Sequence, residues 1–267
     1  MTTAPPLEYW IDTPQGRLYA RRWRSPAGYA DLPPIVLFHD SLGCVELWRD
    51  YPERLAYATG REVVAYDRLG FGRSDPHPDR LRADFIHDEA RVGFAHVREQ
   101  LGIGEFIAFG HSVGGGMAVG VAAAYPEHCR ALITESAQAF VEDRTLAGIR
   151  AAKLAFAQPG QVERLQRYHG DKAAWALSAW IDTWLAPEFA DWSLDDDLRQ
   201  VHCPVLALHG DGDEFGSARH PERIVALSAG PSTMQLLEGC GHVPHRERAD
   251  GVLDIVVRWL SASAQGV

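Results

Sequence analysis

Residues 106–114 read Phe-Ile-Ala-Phe-Gly-His-Ser-Val-Gly, a short apolar run that enters a Gly-x-Ser-x-Gly turn and leaves it through a stretch of small residues. A strand that turns sharply into a helix at Ser112 holds that serine in a strained backbone conformation, so its neighbours Gly110 and Gly114 must lack side chains. The turn raises the hydroxyl above the sheet. It also brings the first N–H groups of the following helix beside the nucleophile, where the positive end of the helix dipole favours a developing oxyanion.

A serine hydroxyl attacks only when a neighbouring base takes its proton, so a histidine must follow. Of the 12 histidines, His242 is the best placed: it lies in Gly239-Cys240-Gly241-His242, directly after the apolar run Met234–Leu237, where a glycine-rich loop can return to the sheet edge that carries Ser112. His245 is the runner-up, but Pro244 and the charges Arg246, Glu247 and Arg248 make it read as the approach to a last helix. The imidazole in turn needs a carboxylate to fix its tautomer and stabilise its charged form. Asp211, Asp213 and Glu214 all follow the run Val205–Leu208 and are the candidates. Cys240 is close to His242 in sequence but has no base of its own; Cys44, Cys129 and Cys203 are scattered outside any C-x-x-C pair and read with it as buried free thiols of a reducing cytoplasm. No metal site and no cofactor are expected.

The elements that must position these groups follow from periodicity. Apolar runs at Ile35–Phe38, Val63–Tyr66, Phe106–Phe109, Leu132–Thr134, Val205–Leu208 and Met234–Leu237 are mostly too continuous for strands with one wet face and read as buried parallel strands. Between them Ile86, Ala90, Gly93, Val97 and Leu101 share one helical face, and Val252, Val256, Trp259 and Leu260 share another. Strand and helix in alternation give a doubly wound α/β sheet. The helix after Ser112, rich in glycine and alanine until Tyr125-Pro126, is small enough on every side to run centrally. The segment before Arg22 alternates around Pro14-Gln15-Gly16 and reads as a hairpin rather than a signal peptide. From Gln138 to Gln200 the rhythm stops, and a helical, charged, tryptophan-rich stretch interrupts the sheet. It reads as an inserted cap (138–200) on a core of 1–137 and 201–267. Leu177, Trp180, Ile181 and Trp184 fall on one helical face and Trp175 on the other. Because a cap covers the strand ends where ligands bind, Trp175, Trp180 and Trp184 are candidates for the pocket wall.

With the Gly-x-Ser-x-Gly turn, the late Gly-x-Gly-His and the carboxylates after Leu208 in place, the chain resembles the α/β-hydrolase superfamily over nearly its whole length. The resemblance implies a mostly parallel eight-stranded sheet flanked by helices. The family's G-x-x-D pattern lands on Asp213, so the triad it implies is Ser112, Asp213 and His242 in that order along the chain. Glu135, after the strand before the cap, is the minor alternative, since some relatives take the carboxylate from there. The family's H-G-x-x-G loop corresponds to His39-Asp40-Ser41-Leu42-Gly43, which implies an oxyanion hole from the N–H groups of Ser41 and Val113. Asp40 departs from the pattern, where a glycine is expected; aspartate tolerates unusual dihedrals and can bond local backbone N–H groups. Tyr66-Asp67-Arg68-Leu69-Gly70-Phe71-Gly72-Arg73-Ser74 is similar to the family's D-x-R-G-x-G-x-S loop, and Arg68 and Arg73 read as loop-stabilising cations.

Composition bounds the partners. The 267 residues are 46% hydrophobic and 23% charged, with a formal net charge of -10, which leaves no basic field for nucleic acid. No apolar run approaches the roughly 20 residues that span a bilayer, so a soluble cytoplasmic protein is expected, with a homo-oligomer left open. The serine nucleophile disfavours the branches of the superfamily that attack through aspartate. The expected activity is hydrolysis of a small-molecule acyl compound by water, an ester or lactone first. Carbon–carbon hydrolysis of ring-cleavage dienones, thioester hydrolysis and haloperoxidase activity are the enzyme alternatives, and a non-catalytic ligand receptor is the alternative outside enzymes.

Overall fold

The computed structural model describes residues 5–24 and 32–263; the first four residues of the expected hairpin, residues 25–31 and the last four residues of the chain lie outside it. Strands β1 (Leu7–Thr13), β2 (Gly16–Trp23), β3 (Ile35–Phe38), β4 (Val63–Tyr66), β5 (Phe106–His111), β6 (Cys129–Glu135), β7 (Val205–Gly210) and β8 (Ser232–Leu237) form one eight-stranded sheet in the order β1-β2-β4-β3-β5-β6-β7-β8. β1 pairs with β2, and β2 with β4, antiparallel; every other pairing is parallel.

Both faces of the sheet are covered, and side-chain alternation divides the core. Val36, Phe38, Val64, Tyr66, Ala108 and Leu132 point to the face holding α2 (Phe85–Arg91), α3 (Gly93–Gln100) and α4 (Val113–Ala124). Their neighbours Ile35, Leu37, Val63, Ile107, Phe109 and Ile133 point to the face holding α1 (Tyr51–Thr59) and α11 (Ala249–Ser263). Each buried Val, Leu, Ile or Phe among them contributes roughly 1.5–3 kcal/mol, which is why these strands read as unbroken apolar runs.

Two expectations are corrected. β8 is not a buried strand: it is the sheet edge, pairs only with β7, and exposes Thr233, Gln235 and Leu236. The single helix expected from Ile86 to Leu101 is two helices broken at Val92, whose φ and ψ are -107° and -73°. The break lies beside Gly93, where an added Cβ would fall 2.0 Å from the Glu89 carboxylate, and that carboxylate accepts a hydrogen bond from the Tyr66 hydroxyl at 2.6 Å. The apolar stripe nevertheless continues across the break, through Ile86, Ala90, Phe94 and Val97.

Between β6 and β7 the chain is helical: α5 (Asp143–Phe156), α6 (Gln161–His169), α7 (Ala173–Trp184) and α8 (Asp195–Leu198), followed after β7 by α9 (Arg219–Leu227) and after β8 by α10 (Pro244–Glu247). Trp184, Phe189 and Trp192 pack together there, the last two stacked at 5.3 Å. Among the described residues no helix is long and apolar enough to cross a membrane.

Candidate active site

The loops leaving the carboxyl ends of β3, β5, β6, β7 and β8 converge over the middle of the sheet, the place where open α/β sheets bind ligands. At the turn from β5 to α4, Ser112 adopts φ 56° and ψ -126°, a conformation that a side chain rarely takes. The flanking glycines make that turn possible by close backbone approach. A Cβ on Gly110 would stand 2.0 Å from the carbonyl oxygen of Gly114, and one on Gly114 would stand 2.1 Å from that of Phe38.

Ser112 Oγ lies 3.0 Å from His242 Nε2, and His242 Nδ1 lies 2.8 Å from each carboxylate oxygen of Asp213. Asp213 is fully buried. Burial works to raise its pKa, but the hydrogen bond and charge of His242 prevail and hold the carboxyl below its ordinary range. The Phe215 amide donates to Asp213 Oδ1 at 2.7 Å, and the Phe215 ring lies 4.8 Å from that of His242. The His242 loop is clamped by Glu247, whose carboxylate accepts from the N–H groups of Gly241 at 2.7 Å and Val243 at 3.0 Å. Of the other carboxylates after β7, Asp211 accepts from Gly239 N in the same loop, and Glu214 is exposed. Cys240 is buried, and burial pushes its thiol up to about 11, so it is not a thiolate nucleophile at neutral pH.

The structure places His245 and Glu135 together, away from Ser112. His245 Nδ1 and Glu135 Oε2 are 2.5 Å apart, and the imidazole packs against Trp48 and Tyr51 with ring centroids at 4.6 and 5.4 Å. With His111 they form a cluster whose ligand-type atoms lie within 4.8 Å of one another. A hydrogen bond as short as that between Glu135 and His245 leaves space for a proton between the two atoms rather than for an ion, so the group reads as a charge network.

His111, the variable residue of the Gly-x-Ser-x-Gly turn, is the functional neighbour that sequence reasoning missed. Its Nε2 lies 2.7 Å from the carbonyl oxygen of His242, and its Nδ1 lies 3.5 Å from Asp40 Oδ2. Burial opposes charging this ring, but Asp40 and Glu135 outweigh burial and push its pKa up to about 9. A strand-end residue between Gly110 and Ser112 had to point somewhere in this loop cluster, but no pattern named its partners. Gln138, whose Oε1 is 3.4 Å from Ser112 Oγ, was read only as the start of the helical insertion.

In the β3 loop, Asp40 Oδ1 accepts from Leu42 N at 2.8 Å, as the local reading had it, and its second oxygen faces His111, which the sequence did not signal. Arg68 holds this loop: its guanidinium donates to the Asp40 carbonyl at 2.8 Å and lies 4.2 Å from the Phe71 ring centroid. The loop's own bonds start from Leu42 N and Gly43 N, not from Ser41 N. Ser41 borders the cavity, and Val113 is the first residue of α4.

That cavity, of about 440 Å³, is lined by Ser112, His242, Leu42, Ile149, Phe156 and Phe215 among others, and by Trp180 and Trp184. Trp175 is a correction. It packs on the far side of α7 against Gly70 and Phe71, stacks on His77 at 5.1 Å and donates Nε1–H to the Asp79 carbonyl at 2.9 Å. It is pinned to the β4 loop by that bond and does not reach the cavity.

A family model for the alpha/beta hydrolase fold matches residues 33–190, more than half of the chain. The chain belongs to the α/β-hydrolase fold family. Hydrolysis is accordingly its reaction class. It is 23% identical to a proline iminopeptidase of Lactobacillus helveticus over 91% of this chain and 94% of that protein. It is 33% identical to the human (lyso)-N-acylphosphatidylethanolamine lipase over 73% of this chain and 61% of the lipase. Among solved structures, a membrane phospholipase A superposes with a TM-score of 0.78 at 20% identity, covering 97% of this chain and 87% of that one, which speaks for the fold alone.

Proposed function

We propose that this α/β hydrolase cleaves a carboxylic ester or lactone through an acyl-enzyme on Ser112. The observation that carries the reading is the unbroken path from Asp213 through both nitrogens of His242 to Ser112 Oγ, at 2.8 and 3.0 Å. In it His242 Nε2 takes the Ser112 proton as Oγ bonds to the acyl carbon, then gives that proton to the departing alcohol. A water molecule, deprotonated by the same nitrogen, releases the acid and restores the serine. The N–H groups of Ser41 and Val113 are the proposed donors to the oxyanion of both tetrahedral steps. The helical segment 138–200 acts as the cap on the core.

Ester is favoured over peptide by the cavity's chemistry. A peptidase working at a chain's N-terminus needs a free carboxylate for the ammonium group. The acidic residue lining this cavity, Asp40, is committed to Leu42 N and His111. The test is a panel of p-nitrophenyl esters of rising chain length beside prolyl p-nitroanilide, a thioester and a ring-cleavage dienone, with fluorophosphonate labelling of Ser112. Esters should lead in kcat/KM, and labelling should require Ser112. Faster turnover of the anilide, thioester or dienone reassigns the substrate, and failure to label reassigns the protein to the ligand receptors.

A further inference from the structure

The walls of the Ser112 cavity carry two cations whose role the triad does not explain. Arg164 on α6 and Arg246 on α10 both line it, and both are exposed, so they stand where the cavity opens to water. They come from separate parts of the chain: α6 belongs to the helical segment, and α10 begins two residues after His242. Among the described residues neither Arg164 nor Arg246 forms a salt bridge, and Glu247 and the cavity's Asp40 are each held by other donors. Glu247 accepts from the N–H groups of Gly241 and Val243, and Asp40 faces His111 and Leu42 N. The rest of the lining is largely apolar, with Leu42, Leu47, Ile149, Phe156 and Phe215. A chain with a net charge of -10 thus brings guanidinium groups from two parts of its sequence to one largely apolar cavity.

An uncharged ester gains nothing from that arrangement. Guanidinium forks match the oxygens of carboxylate and phosphate, and two of them acting on one anion add where a single exposed pair is weak. The −10 background repels anions at long range, so an anionic substrate is admitted only where local cations reverse the field. Building on the ester reading above, we propose that the substrate is an ester with an apolar part and an anionic group, carboxylate or phosphate, which Arg164 and Arg246 hold at the cavity mouth while Ser112 faces the acyl carbon.

The test pairs each anionic ester with a neutral partner of similar length. Mono-4-nitrophenyl adipate is set against 4-nitrophenyl hexanoate, and 1-hexanoylglycerol 3-phosphate against 1-hexanoylglycerol. The first pair reads a carboxylate on the acyl half, the second a phosphate on the alcohol half. Binding of all four to the Ser112→Ala protein is measured by calorimetry, and kcat/KM of the unmutated protein is measured alongside. At least one anionic ester should bind tenfold or more tightly than its partner. The ratio should fall to near one in Arg164→Gln/Arg246→Gln and survive in Arg164→Lys/Arg246→Lys, which keeps the charges. It should also shrink as salt rises. Equal binding within both pairs, or a preference that survives loss of both charges, overturns the anion subsite. Because binding is read without turnover, an absence of hydrolysis of all four esters would sink the esterase reading while the binding ratios still decide this one.

Discussion

Two acid–histidine pairs stand side by side in this fold, and they differ in whether the histidine faces a serine hydroxyl. Asp213 with His242 and Glu135 with His245 have the same donors and acceptors, arise at the ends of adjacent strands β7 and β6, and place their histidines three residues apart. Both carboxylates are buried, and in both burial is outweighed by the partner histidine, so that each carboxyl is held below its ordinary range. The difference is what the histidine's far side meets. His242 Nε2 faces Ser112 Oγ at the wall of a cavity, whereas His245 is enclosed by the rings of Trp48, Tyr51 and His111. A pair becomes a catalytic relay when its outer nitrogen has a nucleophile; without one it is a structural ion pair.

The largest effect that can break this comparison is removal of each histidine in turn. His242→Ala should lower kcat for a p-nitrophenyl ester by about 10⁴ or more, as should Ser112→Ala, because the members of such a relay fail together. His245→Ala should keep kcat per folded molecule within a few-fold but lose stability, since the buried Glu135 loses its hydrogen-bonded histidine and keeps only the charge of His111 nearby, a change that costs up to about 3–5 kcal/mol. Kinetics and thermal unfolding on the same preparations separate the two. A large fall in kcat with an unchanged unfolding temperature for His245→Ala would reverse the assignment.

The acids sharpen the same contrast. Asp213→Asn should slow turnover by about 10⁴, because the amide stabilises the wrong imidazole tautomer. Glu135→Gln and Asp211→Asn should be mild in kcat. A loss with Glu135→Gln comparable to that with Asp213→Asn would mean that the buried pair, rather than the one facing the cavity, orients the base.

How much of this was legible in sequence follows from how local each signal is. The nucleophile turn declares itself within nine residues, since Gly110 and Gly114 are required by contacts to Gly114 and Phe38 backbone atoms that any such turn makes. The five inner strands β3 to β7 announce themselves because both faces are covered, and β8 misled because an apolar composition does not tell an edge from an interior. Pairings across the sheet were invisible. Nothing near residue 111 points to Asp40 or to the carbonyl of His242, and nothing near 135 points to 245. Trp175 failed for a related reason: helical spacing put it opposite Trp180, but only the β4 loop, absent from that pattern, shows what the opposite face meets.

A smaller effect is expected in the cavity that His242 faces. Trp180 lines it and packs 5.9 Å from Phe215, which in turn covers His242. Trp180→Ala should shift the preferred ester chain length, by the roughly 10–200-fold that one methylene in an apolar pocket is worth, while fluorophosphonate still labels Ser112. Trp175→Ala should leave the preference alone. A shift of equal size in both variants would mean that the helical segment moves as a unit and that neither wall is specific.

The smallest effect concerns His111, because it touches both pairs without belonging to either. Its ring lies 5.2 Å from that of His242 and 5.0 Å from that of His245, and the groups facing it are Asp40, Glu135 and the His242 carbonyl, with Trp48 alongside. Burial favours the neutral ring, but the two carboxylates win, so its pKa in the folded chain stands at about 9, above the ordinary 6.5. A group whose pKa is raised by folding binds its proton more tightly in the folded state. The stability it contributes is complete below pH 6.5 and drains away as pH rises from there through about 9. Glu89, raised by burial to about 7, follows the same sign but has given up its share by that pH. His111→Gln can keep a hydrogen bond to the His242 carbonyl while removing the charge, so kcat should change only a few-fold at pH 7. The decisive readout is the unfolding temperature between pH 7 and 9.5. The unmutated protein should lose stability across that interval more steeply than the variant, and parallel curves would show that His111 is neutral and that the two pairs stand electrically apart.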